Sequence, residues 1–310
     1  MKGIGGMQMK KRKIGSSDLQ VSELGLGCMS LPTDLKAAQS VLDAAIDNGI
    51  NYFDTADLYD KGTNEELVGT ILKERRKDLI IATKAGNKWT AGEEGWKWDP
   101  SKQHIMKAVK QSLQRLQLDY IDLYQLHGGT MEDNVEETIE AFKVLKKEGI
   151  IREYGISSIR PTVIKRFLAQ GSAVSVMMQY SLLDRRPEEY FPMIEQHGAS
   201  VITRGTIAKG LLTDEGNARA EKMNGFASYS ETDLQKTVQA LSEKTTDLHA
   251  AAIAFALKQS AVASALIGAR TPEQLQQTLN AYETVIDPQL LDELTRATAQ
   301  HRYEQHRVES

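Results

Sequence analysis

The chain has 310 residues, 41% of them hydrophobic and 26% charged, with a formal net charge of −4. That length suffices for a large single domain that buries roughly three quarters of its unfolded-chain surface, and the mild charge points to neither nucleic acid nor anionic membrane as a partner. Cys28 is the single cysteine, which excludes an internal disulfide framework and suits a reducing compartment.

The N-terminal stretch MKGIGGMQMKKRK lacks the apolar core of a signal peptide. Residues 9–14 and 19–23 flank Gly15-Ser16-Ser17-Asp18, a hairpin turn by composition. Short runs rich in Ile, Leu and Val then alternate with longer segments of helical period. Strands are expected near 24–27, 51–54, 79–84, 120–126, 152–157, 174–179, 200–204 and 263–267. Helices are expected at 36–48, 64–75, 101–116, 134–148, 161–169, 187–197, 231–259 (as two helices) and 272–281, with an extra helix and a polar tail after 287. Asp99-Pro100-Ser101 and Thr271-Pro272-Glu273 read as helix starts. Gly49, Gly149 and Gly198 stand where C-terminal cap glycines belong. No run reaches about 18 apolar residues, so no membrane span is expected, and the location expected is cytoplasmic.

Eight β-then-α units call for a parallel sheet covered by helices. Gly25-Leu26-Gly27 carries only two glycines, so the dinucleotide-binding fingerprint of an open doubly wound sheet is missing. The count fits a closed (β/α)8 TIM barrel with an N-terminal β-hairpin plugging its floor. One domain spans 1–310, with its core at about 12–285 and a C-terminal helix and tail at 286–310.

In such barrels the reactive groups stand at the C-terminal strand ends. The second strand ends in Asp54, the third in Lys84 and the fourth in Gln125-Leu126-His127, while Tyr59 follows the second strand. Taken singly, each has an ordinary reading: Asp54 as a turn cap, Tyr59 as a packing aromatic, Lys84 as a solvated end and His127 as a core histidine. Together they suit one chemistry. A lysine ammonium stabilises negative charge developing on a tyrosine oxygen, and a carboxylate keeps that lysine charged. A histidine can hydrogen-bond a substrate oxygen and position it. Such a set can protonate a carbonyl oxygen while hydride arrives at its carbon.

Tyr52-Phe53-Asp54-Thr55-Ala56-Asp57-Leu58-Tyr59 and Asn64-Glu65-Glu66-Leu67-Val68-Gly69 resemble the signature of the aldo-keto reductases. So do Thr83-Lys84, the run Asp119–His127, Gly155-Ile156-Ser157-Ser158, the run Gln179–Arg185 and the run Gly268–Leu275. The resemblance extends in order from about Arg12 to about Ala281. It implies a (β/α)8 barrel, NADPH/NADP+ as the hydride carrier, and a small-molecule aldehyde or ketone as substrate. It implies Asp54, Tyr59, Lys84 and His127 as the catalytic set, with Tyr59 the general acid. It implies further that Ser157, Ser158 and Gln179 hold the nicotinamide carboxamide, with Gly27, Cys28 and Asp54 lining the same end. Gly205, Thr206, Ile207, Ala208, Lys209, Gly210 and Leu212 match the loop that wraps the pyrophosphate. Gly268, Arg270, Gln274, Gln277 and Thr278 match the adenosine end, with Arg270 facing the 2′-phosphate.

The chain departs from the pattern in four places. Ser158 replaces an asparagine, Arg204 an aromatic that stacks on the nicotinamide, and Gln277-Thr278 an acid–asparagine pair. Gly128-Gly129 follows His127 where a bulky residue and proline are usual, which predicts a more open or mobile pocket wall. The loop after Lys84 holds all three tryptophans, Trp89, Trp96 and Trp98, either packed over neighbouring loops or forming an aromatic lid on the substrate. His104, His197, His249, His301 and His306 show no ligand spacing, and no metal is expected. Two other functions compete with carbonyl reduction. Lys84 could serve as a Schiff-base nucleophile, although Asp54 would hold it charged. The barrel could also act as a cofactor-binding sensor subunit with little turnover. No obligate protein partner is expected.

Overall fold

Strands buried on both faces alternate with helices that bury one face, and the chain closes them into a ring. The computed structural model describes residues 9–90, 92 and 94–307. The first eight residues of the stretch read above for a signal peptide, and the last three of the tail, lie outside the described residues.

The barrel strands are β1 (Leu24–Gly27), β2 (Tyr52–Asp54), β3 (Ile80–Ala85), β4 (Ile121–His127), β5 (Ile151–Ser157), β6 (Ser175–Gln179), β7 (Ser200–Arg204) and β8 (Val262–Ile267). They pair in parallel in chain order, and β8 returns to β1. Each boundary lies within two residues of its expected position. The helices between them are Leu35–Asp47, Thr63–Leu72, Lys102–Leu116, Val135–Lys147, Pro161–Gln170, Phe191–Gln196, the pair Glu231–Lys244 and Leu248–Lys258, and Pro272–Glu283. A further helix, Pro288–Arg296, follows. Two expected helices are shorter in α form than their periodicity suggested. Thr63–Leu72 tightens into a 3-10 stretch over Lys73–Asp78, and Phe191–Gln196 is preceded by a 3-10 stretch over Arg186–Tyr190. The first of these is a fully polar KERRKD segment with no buried residue, so nothing packs it as a regular helix.

Caps fall where the sequence places them. Ser101 and Thr271 accept hydrogen bonds from His104 N and Gln274 N, satisfying helix N–H groups that have no internal partner. Gly49, Gly149 and Gly198 sit just past helix ends at φ of 83°, 74° and 72°.

The hairpin pairs Lys11–Lys13 with Gln20–Ser22, a shorter ladder than the flanking residues suggested. Its Ile14, Leu19 and Val21 join inward-facing Tyr52, Ile80, Leu123, Met177, Ile202 and Leu266 in an apolar plug. Burying each such side chain contributes about 1.5–3 kcal/mol. The floor of the barrel is therefore largely apolar, and polar inward residues are left for the opposite end.

Candidate active site

Strand alternation decides which side chains reach the interior. On β3, Thr83 turns outward to Glu65 Oε1 at 2.6 Å, and Arg115 holds the other carboxylate oxygen at 2.7 Å. Lys84, the next residue, turns inward and is fully buried. Its ammonium donates to Asp54 Oδ1, to the Thr55 carbonyl at 2.8 Å and to the Tyr59 hydroxyl at 3.3 Å. Tyr59 opens a short 3-10 turn after β2, which brings its ring beside the Lys84 ammonium, 5.0 Å from the ring centroid. There it meets His127 edge to face, with ring centroids 5.9 Å apart. The three strand-end residues and the loop residue Tyr59 thus converge on one mouth.

The charge states follow from burial and pairing. Burial works against the charge on Lys84, but the Asp54 carboxylate and the Tyr59 oxygen outweigh it and raise its pKa. Burial likewise pushes the Asp54 carboxyl up, while Lys84 and a hydrogen bond from Gln125 pull it back. We take the pair as ionised, because Asp54 accepts from both Lys84 and Gln125 and a neutral carboxyl would forfeit part of that set. His127 is driven down to about 3 by burial, with Lys84 and Arg204 adding to the effect; its ring is neutral at physiological pH. Among the described residues its buried Nδ1 has no hydrogen-bond partner.

Gln125 is a member of the site that the sequence reading passed over. Its Nε2 donates to Asp54 Oδ2 at 3.0 Å, so both carboxylate oxygens are engaged. The available signal was its register, since Gln125 lies opposite Lys84 on the neighbouring strand and two residues before His127, on the same face. A second omission is Asn64, which accepts from Thr55 Oγ1 at 2.6 Å and donates to the Cys28 carbonyl at 2.9 Å. It ties the loops after β1 and β2 together beneath the mouth.

At Gly128-Gly129, where a more open or mobile wall was expected, neighbouring side chains pack close to the backbone. Both glycines hold positive φ, 137° and 123°. The Trp98 indole lies against Gly128, where an added Cβ would come within 3.0 Å of its Cζ3, and Val163 fills the space beside Gly129. Trp98 Nε1 donates to Asp133 Oδ1 at 2.8 Å, Asn87 Nδ2 to the His127 carbonyl at 3.1 Å, and Arg160 to the Gly129 carbonyl at 2.5 Å. Gly128 makes room for the Trp98 indole. Trp89 is also tethered, donating to the Asp57 carbonyl at 3.0 Å, whereas Trp96 stands 55% exposed.

The sequence matches the profile of the Aldo/keto reductase family over residues 23–299. The chain belongs to that family. An uncharacterized oxidoreductase of Bacillus subtilis, YqkF, is 53% identical over 305 residues, covering 96% of this chain and all of its own. The aldo-keto reductase AKR11C1 of Bacillus halodurans, in its holo form, superposes with a TM-score of 0.91 at 50% identity, covering 97% of this chain and 100% of that one. A more distant relative, 29% identical over 327 residues (93% of this chain, 99% of that one), is the NADH-specific methylglyoxal reductase of Escherichia coli.

In this aldo-keto reductase the remaining expected site residues divide into two groups. Ser157 and Gln179 are half-buried at the tips of β5 and β6, beside the mouth. Ser158 is buried, and its hydroxyl accepts from Arg160 N at 3.2 Å. Arg204, at the tip of β7, donates to Gln179 Oε1 at 3.4 Å. Gly27 is half-buried, but the Cys28 thiol is fully enclosed, bonded weakly to the Leu26 carbonyl at 3.7 Å, and burial pushes its pKa up. Cys28 therefore offers the mouth backbone only.

The second group lies in the loop after β7 and around the start of the helix Pro272–Glu283. Gly205, Ala208, Lys209 and Gly210 all take positive φ, between 48° and 84°. Thr206 Oγ1 is bonded to Thr203 Oγ1 at 3.3 Å, and the Leu212 N–H returns to the Ile207 carbonyl at 3.3 Å. Lys209 is exposed. Next come Gly268 and Arg270, both exposed, ahead of the helix that starts at Pro272. Gln274 Oε1 accepts from Arg270 N at 2.9 Å. Gln277 faces solvent, and Thr278 is buried with its hydroxyl donating back to the Gln274 carbonyl at 3.2 Å, so it has little left to offer a ligand.

Proposed function

We propose that the protein reduces an aldehyde or ketone to the alcohol, with Tyr59 as general acid and NADPH as the cofactor. The observation that supports this most directly is the chain of contacts from Asp54 through Lys84 to the Tyr59 hydroxyl, closed at the other side by the neutral His127. A nicotinamide dinucleotide suits the residues at hand: a loop turned repeatedly to positive φ, and two exposed cations, Lys209 and Arg270, further out. Backbone N–H groups in such loops and cations near a helix N-terminus favour phosphate.

When bound, the cofactor supplies the hydride and leaves oxidised. Every other task falls to the chain. Ser157 and Gln179 would orient the carboxamide, the loop 205–212 would hold the pyrophosphate, and Arg270 would meet the 2′-phosphate. His127 donates a hydrogen bond to the carbonyl oxygen and fixes its direction. The Tyr59 hydroxyl gives that oxygen its proton as the carbon gains hydride, and Lys84 stabilises the phenolate left behind until solvent restores the proton. Asp54, held by Gln125, keeps Lys84 charged. The same pairing argues against Lys84 as a Schiff-base nucleophile, since an enclosed ammonium has neither lone pair nor access.

A screen of aldehydes, ketones and dicarbonyls against NADPH and NADH, followed by absorbance, tests activity, cofactor and substrate class together. Tyr59→Phe should retain cofactor binding and lose at least a hundredfold in kcat, the lower range of a general-acid contribution. Unchanged turnover in that variant would refute the assignment. Cofactor binding with no turnover on any carbonyl would favour the sensor-subunit reading instead.

A further inference from the structure

Proton transfer from Tyr59 needs its hydroxyl held at the Lys84 ammonium, and the inference that follows rests on the hydride-transfer reading of the mouth. The contact between the two groups is 3.3 Å long, and what lies behind them fixes it. Tyr59 leads directly into three residues in the left-handed region, Asp60, Lys61 and Gly62, at φ of 48°, 50° and 91°. Two of the three carry side chains, and such backbone persists only where the surrounding structure holds it. A Cβ on Gly62 would come within 2.7 Å of Arg115 Cδ and 2.8 Å of its Nε, so the Arg115 side chain lies directly against the turn. Its guanidinium pairs at 2.7 Å with Glu65, whose side chain is fully enclosed. Glu65 stands in the first turn of the helix Thr63–Leu72, which continues the Tyr59 turn. The other carboxylate oxygen accepts from Thr83, the residue before Lys84. Asp57 adds a second tie, its N–H donating to the Lys84 carbonyl at 3.2 Å.

Arg115 comes from a third element, the helix Lys102–Leu116. It touches the turn that presents the acid and, through Glu65 and Thr83, the strand that presents the lysine. Thr83 points out of the barrel, so this bridge approaches the site from behind. A buried ion pair is by itself weak evidence for stability; its place between these two elements gives it another task. We propose that Arg115 is a positioning residue: it clamps the strained turn carrying Tyr59 against the strand carrying Lys84, and thereby sets the distance between the proton donor and the ammonium that stabilises its anion. Asn64 secures the same helix start to the loops after β1 and β2, so loss of the clamp loosens the turn while the helix stays in place.

The test measures kcat, KM and the dissociation constant of NADPH for the full chain, well below its unfolding temperature. The carbonyl is 4-nitrobenzaldehyde, or the best substrate of the screen if that compound is not turned over. Arg115→Met should lower kcat roughly tenfold, within the cost of an ångström-scale misplacement, and leave NADPH binding unchanged. In a Tyr59→Phe background the same substitution should cost no further kcat, since a residue that acts through Tyr59 has nothing left to position. Arg76→Met is the control. Arg76 pairs with the fully buried Asp122 at 2.7 Å, near the starts of β3 and β4, and its loss should lower the urea midpoint comparably without lowering kcat. If Arg115→Met does not fold, Glu65→Gln releases the guanidinium from the other end while keeping an acceptor for Thr83, and the same pattern is expected. Unchanged kcat in whichever of the two variants is measured, an equal loss in the Tyr59→Phe background, or an equal loss in Arg76→Met overturns the inference and leaves the hydride-transfer reading intact. No turnover of any aldehyde or ketone by the unmodified protein would overturn that reading and this inference with it.

Discussion

Replacing Lys84 by Met removes one member of an ion pair in which the lysine side chain is fully enclosed and the Asp54 side chain is 4% exposed. The methionine fills similar volume, so the loss is chiefly electrostatic: Asp54 keeps its bond from Gln125 and loses its counter-ion. Breaking such a pair from one side costs about 3–5 kcal/mol. The penalty should also depend on pH. Without Lys84, burial raises the Asp54 carboxyl above its unfolded value, so the folded variant binds its proton more tightly than the unfolded chain does. That contribution to stability is present at low pH and is lost as pH rises from the unfolded carboxylate value through the raised folded one. Urea unfolding followed by both far-UV circular dichroism and tryptophan fluorescence, at pH 5.5 and pH 8, measures this, and coincident transitions license a two-state treatment. The variant should be less stable than the unmodified protein at both values, with the larger deficit at pH 8. Lys84→Met combined with Asp54→Asn should recover part of the loss, since the orphaned charge is gone. A deficit below about 1 kcal/mol at pH 8, or one that does not change with pH, would refute the account of Lys84 and Asp54 as a mutually dependent buried pair.

Gly128→Ala forces a Cβ onto a backbone at φ 137° and within 3.0 Å of Trp98; about 1–3 kcal/mol of destabilisation is expected, with a shift in near-UV circular dichroism from the displaced indole. Because His127 stays neutral down to about 3, kcat/KM between pH 5 and 7 should show no inflection that disappears in His127→Asn; a step near 6.5 that vanishes in that variant would count against the enclosed neutral ring. Arg270→Gln should raise KM for NADPH at least tenfold and leave KM for NADH nearly unchanged, and equal effects on both would remove the 2′-phosphate from its role.

Period and punctuation made most of the barrel legible. Runs such as Ile80–Thr83 admit only a doubly buried strand, and glycines such as Gly149 mark where helices stop. Short 3-10 turns escaped, because three or four residues carry no period, and one of them, Tyr59–Gly62, positions the tyrosine. The site was legible where a strand-end rule could act on charged or aromatic residues. Gln125 was missed because an amide at a strand end has no distinctive chemistry until its partner is known, and that partner lies 71 residues away. At Gly128-Gly129 a glycine pair signals missing side chains, and only the folded chain reveals Trp98 beside Gly128 and Val163 beside Gly129.

The packing of Trp98 on Gly128, fastened by Asp133, makes two loops into one inherited unit. A bulkier residue at 128 has nowhere to go while the indole is there, and a smaller residue at 98 would leave a void beside a backbone already bent for it. Substitutions in either loop are therefore conditional on the other. Attempts to broaden the pocket by exchanging loops with another member of the family would have to move residues 87–98 and 128–133 together. Swapping one alone would yield a protein that folds poorly for reasons unconnected with its new substrate.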